Sequence, residues 1–347
     1  MTDTVDPRRS TGDPALDADV ARMLDDLGAD EHRGVLTELF VSAVRAAQGA
    51  HDRLDLKIAS AALREMQSAF AMFAPYRHRP KATIFGSART AADDPSYRTA
   101  HDVAAGLAER GWMVVTGAGP GIMEAGLAGA GRENAIGVSI RLPFETEANH
   151  VIAGDEKLVE MKYFFTRKLM LVKESKGFVS LPGGFGTLDE TFELLTLQQT
   201  GKADPVPIVL LDEPGGTYWT ELDAFVRGPL VGGGLVAEHD VGLYLVTDDV
   251  GEACRDLIGF YRNFHSMRYV GDRLVLRLGS EASDELLADL DTDFADLTDG
   301  GGFERTAPLR PEIDTDDELD RPRIVFRYGP RHYGRLRPLV DRLNADA

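Results

Sequence analysis

Apolar residues recur every three or four positions from about Glu31 to Phe73, in "VLTELFVSAVRAAQ" and "LDLKIASAALREMQSAFAMF", and this spacing predicts helices. No proline interrupts the run, and "APYRHRPK" ends it. From Lys81 the pattern changes to short apolar runs that read as strands: "ATIF", "WMVVT", "AIGVSI", "GFVSL", "PIVLL" and "LYLVT". Between most of them lie stretches of helical period: "SYRTAHDVAAGLAERG", "GIMEAGLAGAGREN", "EKLVEMKYFFTRKLMLVKESK", "TLDETFELLTLQQTG" and "YWTELDAFVRGPLV". Strands apolar on both faces and separated by helices predict a parallel sheet covered on both sides. Right-handed crossovers make that sheet doubly wound. After about Ser266 the pattern is strand "RLVLRL", helix "SDELLADLDTDFADL", strands near "GFERT" and at "RIVFRY", and helix "YGRLRPLVDRL". The acidic, proline-containing "APLRPEIDTDDELDRPR" inside this tail reads as a surface loop.

The fold class expected is therefore α/β: a Rossmann-like doubly wound parallel sheet with N-terminal helices and a small C-terminal α+β appendage. The segments are a loosely ordered tail over 1–30, a helical segment over 31–78, the nucleotide-binding sheet domain over 79–265 and the appendage over 266–347. Hydrophobic residues make up 43% of the 347, enough for one large core plus an appendage. No apolar run approaches the roughly 20 residues that span a bilayer, and the polar start "MTDTVDPRRSTGDPALDADV" lacks the apolar core of a signal peptide. A single cysteine, Cys254, allows neither an internal disulfide nor a cysteine metal cluster. A cytoplasmic location is the simplest expectation. The net charge of −19 repels phosphate backbones, which argues against nucleic-acid polymers and anionic membranes as partners. A small anion remains admissible where local cations and backbone amides overrule that field.

In doubly wound sheets ligands bind beyond the carboxyl ends of the strands, and the loops there are "GSART", "GAGPG", "RLPFETEANH" and "PGGFGT". "TGAGPGIMEAG" (116–126) sits where a dinucleotide fingerprint would, but after Gly117 and Gly119 the third glycine position holds Ile122, and after Gly119 and Gly121 it holds Glu124. The fingerprint fails, and so does the P-loop. The loop reads as an anion seat with a helix N-terminus behind it in preference to a bare tight βα turn. "PGGFGTLDE" is sharper. Gly183, Gly184 and Gly186 tolerate positive φ, so their N–H groups can converge on one anion. Thr187 is placed as the N-cap, within reach of a phosphate oxygen. The same residues also spell a capping box, in which Glu190 only bonds the N-cap amide. Upstream, "MKYFFTRKLMLVKESK" carries Lys162, Arg167, Lys168 and Lys173, topologically close to that cradle. Arg167 and Lys168 are adjacent, so one can face the cleft while the other makes a different contact. A solvated basic face is the plainer alternative. Tyr163, Phe164 and Phe165 read as core or subunit-interface residues in preference to base-stacking platforms.

"GSART", "TGAGPGIMEAG", "FFTRK" and "PGGFGTLDE", in this order, resemble the LOG (LONELY GUY) family of cytokinin-activating phosphoribohydrolases and its bacterial relatives, the nucleotide 5′-monophosphate nucleosidases. The resemblance covers about Lys81 to Phe264; the family's PGG-x-GT-x-x-E ends here on Glu190 and its Arg-Lys pair falls on Arg167 and Lys168. This chain has Asp189 where plant-type members carry Glu, Ala118 within the loop usually written GGG, and "FFTRK" in place of "MHERK". Family members often carry the label lysine decarboxylase, yet no motif for a pyridoxal phosphate site is present. The resemblance implies hydrolysis of a nucleoside 5′-monophosphate, AMP or a cytokinin riboside monophosphate, to free base and ribose 5-phosphate, without cofactor or metal, in a homodimer. Glu190 and Arg167 are then the catalytic pair. Gly183, Gly184, Gly186 and Thr187 hold the phosphate opposite Gly119 and Gly121, and Ser87, Gly117, Lys168 and Glu124 complete the contacts. The rival expectation is a nucleotide sensor or carrier on the same fold without hydrolysis.

Overall fold

The computed structural model describes residues 6–142, 148–329 and 333–345. The chain divides into two compact units, Met1–Glu65 and Met66–Ala347. In the first, α1 (Pro14–Asp26) packs on α2 (Arg33–Gln48) through Val20, Leu24 and Val41. The residues of α1 lie where the sequence reads as a loosely ordered tail. They form a helix because Asp13 caps it, accepting from the Ala15 N–H, and Pro14 occupies the first turn. Val20 and Leu24, one turn apart, supply a buried stripe within an otherwise polar surface. The next helix, α3 (Arg53–Phe73), contains the point at which the chain divides.

The second unit is built on seven parallel strands: β1 (Lys81–Phe85), β2 (Met113–Thr116), β3 (Ala135–Ile140), β4 (Leu158–Met161), β5 (Gly177–Ser180), β6 (Ile208–Leu211) and β7 (Leu245–Thr247). Their order is β4-β3-β2-β1-β5-β6-β7. The connecting helices are α4 (Pro95–Ala108), α5 (Ile122–Ala130), α6 (Phe164–Glu174), α7 (Phe185–Gln199), α8 (Tyr218–Phe225) and α9 (Val250–Gly259). One sheet face buries Ile84, Val114, Val179 and Val209 against Val103, Leu107, Ile122 and Leu257. The other buries Val115, Val138, Phe178 and Leu210 against Phe73, Met170, Leu194 and Trp219. The chain leaves β1 toward β2, β3 and β4 and returns to β5 on the opposite side of β1. The crevice of a doubly wound sheet therefore opens at the carboxyl ends of β1 and β5.

Strand β4 corrects the sequence reading, which assigned 158–161 to the helix ahead of "FFTRK". It is an edge strand whose burial alternates, with Val159 and Met161 inward and Glu160 outward. Four alternating residues beside a helical run carry too little period to be told from it. A second, antiparallel sheet follows, ordered β10-β11-β9-β8: β8 (Phe264–Val270), β9 (Arg273–Leu278), β10 (Glu304–Arg305) and β11 (Arg323–Arg327). With α10 (Asp284–Asp293) and α12 (Leu336–Ala345) it encloses Leu276, Leu290, Ile324, Phe326, Leu339 and Leu343, and Phe260 at the end of α9 belongs to the same cluster. The acidic stretch before β11 is more than a surface loop. Its short helix α11 (Arg310–Ile313) carries Glu312, fully buried, which accepts from Arg277 Nη2 and Arg323 Nη1 at 2.8 Å each.

Candidate active site

Three loops meet in the crevice. Ser87, after β1, donates its N–H to Pro182 O at 3.3 Å and accepts the Ile122 N–H at 3.0 Å, so its loop is tied to the loops after β5 and β2 together. Gly121 (φ +66) is needed for this approach, because a Cβ there would lie 2.4 Å from Ser87 O. Ala118 is also left-handed (φ 58), a conformation that costs an alanine roughly 1–2 kcal/mol. Asn149 holds it there: its N–H donates to Ala118 O at 2.8 Å and its Nδ2 to Gly119 O at 2.9 Å.

Helix α7 begins at Phe185 with Gly184 as N-cap and no side-chain cap bond. Thr187 therefore stands in the third helical position, and the capping box read from the sequence does not form. The glycines also work differently from expectation. Gly183, Gly184 and Gly186 are not left-handed; what they supply is a missing Cβ. At Gly183 a Cβ would strike Thr187 Oγ1 at 2.2 Å, whereas at Gly184 and Gly186 it would meet nothing within 4 Å. The first-turn N–H groups, which have no partners within the helix, thus border open space in a cleft of about 790 Å³. The cradle is braced from behind: the Tyr218 hydroxyl donates to Gly183 O at 2.7 Å, and Asp212 accepts the Trp219 N–H at 3.0 Å.

Adjacent residues of α6 face opposite ways. Arg167 is buried; its Nε donates to Val138 O at 3.0 Å, and its Nη1 stands 3.7 Å from Glu190 Oε1. It passes over Gly117, where a Cβ would lie 1.9 Å from Nη2. Lys168 turns away and binds Asp189 and Glu193, each at 2.7 Å. Glu190 is nearly enclosed, and loss of hydration pushes its carboxyl up to about 7, with Arg167 and Lys168 opposing and the Asp189 and Glu193 carboxylates adding to the rise. Burial also lowers Arg167 from its ordinary range, with Glu190 acting against it; a guanidinium stays protonated regardless.

Of the residues expected from sequence, Ser87, Gly117, Gly119, Arg167, Gly183, Gly184, Gly186, Thr187 and Glu190 line the cleft. Gly121, Glu124 and Lys168 do not. Gly121 packs loop against loop, Glu124 accepts from the Tyr97 hydroxyl at 3.3 Å, and Lys168 is held by its two carboxylates. Sequence reasoning passed over Arg89, Phe185, Glu160 and Ser139, which also line the cleft. Arg89 was visible in "GSART" as a cation two residues beyond Ser87; Glu160 was hidden by the misread strand. Phe164 and Phe165 are not core residues, being 56% and 54% exposed, and Phe164 forms one wall.

Fold and cleft together are those of a doubly wound α/β protein with a glycine-lined cleft at the reversal of strand order. A family model described as "Possible lysine decarboxylase" matches residues 118–257. The chain is 32% identical over 160 residues to a cytokinin riboside 5′-monophosphate phosphoribohydrolase of Mycobacterium tuberculosis, spanning 45% of this chain and 82% of the relative. It is 35% identical over 96 residues to a probable enzyme of the same name from Arabidopsis thaliana, spanning 28% of this chain and 45% of the relative. Among solved structures, a molybdenum cofactor carrier protein from Chlamydomonas reinhardtii is similar at 22% identity and a TM-score of 0.37, over 51% of this chain and 94% of its own. This protein belongs to the LOG family. A pyridoxal-dependent lysine decarboxylase would need a lysine in the cleft for a Schiff base; among the described lining residues there is none.

Proposed function

We propose that this protein is a phosphoribohydrolase, cleaving the N-glycosidic bond of a nucleoside 5′-monophosphate to free base and ribose 5-phosphate. The observation that carries the reading is Glu190: an enclosed carboxyl with its proton affinity raised to about 7, facing a buried arginine across 3.7 Å beside an amide cradle. A cradle suffices for binding. A carboxyl tuned toward neutrality is what acid–base chemistry adds.

The phosphate sits against the first-turn amides of α7, with the Ser87 hydroxyl and Arg89 on the β1 side. Anchoring it fixes the ribose over Glu190. As the bond from C1′ to the base nitrogen breaks, its electron pair leaves with the base and positive charge develops on the ribose, as in glycoside hydrolysis. Ionised Glu190 stabilises that charge and accepts a proton from the attacking water, whose oxygen bonds to C1′. The proton then passes to the departing base. Arg167, a poor proton donor, polarises the base and orients the nucleotide.

The test is to incubate the protein with AMP, GMP, CMP, UMP and a prenylated AMP and to measure free base. Release that vanishes in Glu190→Ala supports the reading. Binding of monophosphates without release from any of them leaves a carrier or sensor. We further propose that the chain forms a homodimer through Phe164, Phe165 and Leu169 of α6, whose exposed side chains make an apolar strip.

A further inference from the structure

The cradle fixes one end of the cleft; the opposite end lies over β3 and β4. Ser139 and Glu160 line it there and are register partners on neighbouring strands. The Glu160 carboxylate is oriented by Arg141, whose Nε donates to Oε1 at 2.9 Å and whose Nη2 reaches the same oxygen. Among the described residues the other oxygen, Oε2, has no partner. The result is a fixed carboxylate with one free face at the far end of a nucleotide-sized crevice.

Distance says what reaches it. From the gap between β1 and β5, where the phosphate is placed, to the gap between β3 and β4 is three strand spacings in the order β4-β3-β2-β1-β5, about 14 Å at the usual spacing. That is the span of an extended purine mononucleotide plus one hydrogen bond. A pyrimidine falls short. A carboxylate only accepts hydrogen bonds. Guanine presents two adjacent donors on its Watson–Crick edge, N1–H and the 2-amino group. Hypoxanthine presents N1–H alone. Adenine sets its amino group beside the N1 lone pair, which a carboxylate repels.

Resting on the phosphoribohydrolase reading, we propose that Glu160 is the base-reading residue and selects guanine, so that the substrate is GMP in preference to IMP, and IMP in preference to AMP. Glu160 takes no part in bond cleavage; it sets which base is held while Glu190 and Arg167 act.

The experiment compares kcat/KM for GMP, IMP and AMP in the wild-type protein, Glu160→Gln and Glu160→Ala, with thermal midpoints recorded for each. The wild type is expected to favour GMP over AMP by about ten-fold or more, the scale of hydrogen bonds donated by N1–H and the 2-amino group to one charged oxygen, Oε2. Glu160→Gln, keeping one acceptor oxygen, brings GMP down toward IMP. Glu160→Ala collapses the GMP-to-AMP ratio toward one through KM. A wild type that prefers AMP, or an alanine variant that keeps the wild-type ratio, overturns the proposal while leaving the hydrolase reading intact. If no monophosphate is hydrolysed, the hydrolase reading fails and equilibrium binding decides this one. Tighter binding of GMP than AMP, lost in Glu160→Ala, sustains it; equal binding overturns it.

Discussion

Replacing Glu190 by glutamine removes a titration while keeping the shape, and the consequence for stability can be worked out from the site. A carboxyl that ordinarily titrates at 4.5 and titrates at about 7 in the folded protein holds its proton more tightly folded than unfolded. The folded state therefore gains least against the unfolded one where Glu190 must ionise. Its favourable contribution is fully present below 4.5 and is lost as pH climbs through about 7. The free energy separating the two values is about 3 kcal/mol, an upper figure for a side chain that keeps some contact with water. Glutamine has no proton to lose. The unfolding free energy of Glu190→Gln minus that of the wild type should therefore grow from about pH 5 to about pH 8, in the variant's favour, by up to about 3 kcal/mol. Whatever the amide costs beside Arg167 is common to every pH and cancels. Urea unfolding of both proteins across that range measures the difference. A difference that stays flat within about 0.5 kcal/mol would refute the desolvated carboxylate and, with it, the reason for giving Glu190 the proton-transfer role. In the same range, wild-type kcat/KM should rise along an acid limb centred near 7, and the variant should show no activity on which to see one.

Gly117→Ala should displace the Arg167 guanidinium, since its methyl would fall 1.9 Å from Nη2; steady-state kinetics should register a loss of about 10²-fold or more in kcat/KM, the scale of a misplaced orienting group. Glu312→Ala leaves Arg323 buried without a carboxylate partner and Arg277 with Asp317 alone, and denaturant unfolding should find the chain destabilised by about 3 kcal/mol. Phe165→Asp places a charge on the exposed face of α6, and light scattering should report monomer where the wild type is dimeric; a wild type that is itself monomeric would dispose of the α6 interface.

The sheet was legible in the sequence because its central strands are buried on both faces and announce themselves as unbroken apolar runs. Edge strand β4 was not, since Glu160 breaks its apolar run and α6 follows within a few residues. The adjacency of Arg167 and Lys168 was enough to foresee that they part company. It could not say which one would enter the cleft, because that depends on Val138 O and on the space left over Gly117. The hardest point was the start of α7. Thr-x-x-Glu is a genuine capping signal, but moving the N-cap to Gly184 places Thr187 within the first turn and frees Glu190 from the role that signal implies. Helix α1 was missed for the opposite reason: its cap, Asp13, was in plain view, but the buried stripe behind it is only Val20 and Leu24.

The bonds that knit the loops after β1, β2, β3 and β5 together run from main chain to main chain: Ser87 N–H to Pro182 O, Ile122 N–H to Ser87 O, Asn149 N–H to Ala118 O. Such bonds do not depend on what side chains the loops carry. Mutational drift can rewrite most of the lettering around this seat without dismantling it, provided that Gly121 remains small enough for the loops to touch and Asn149 keeps its amide on Gly119. A relative sharing a third of its residues can thus inherit the same loop framework while the far wall of the cleft is free to diverge.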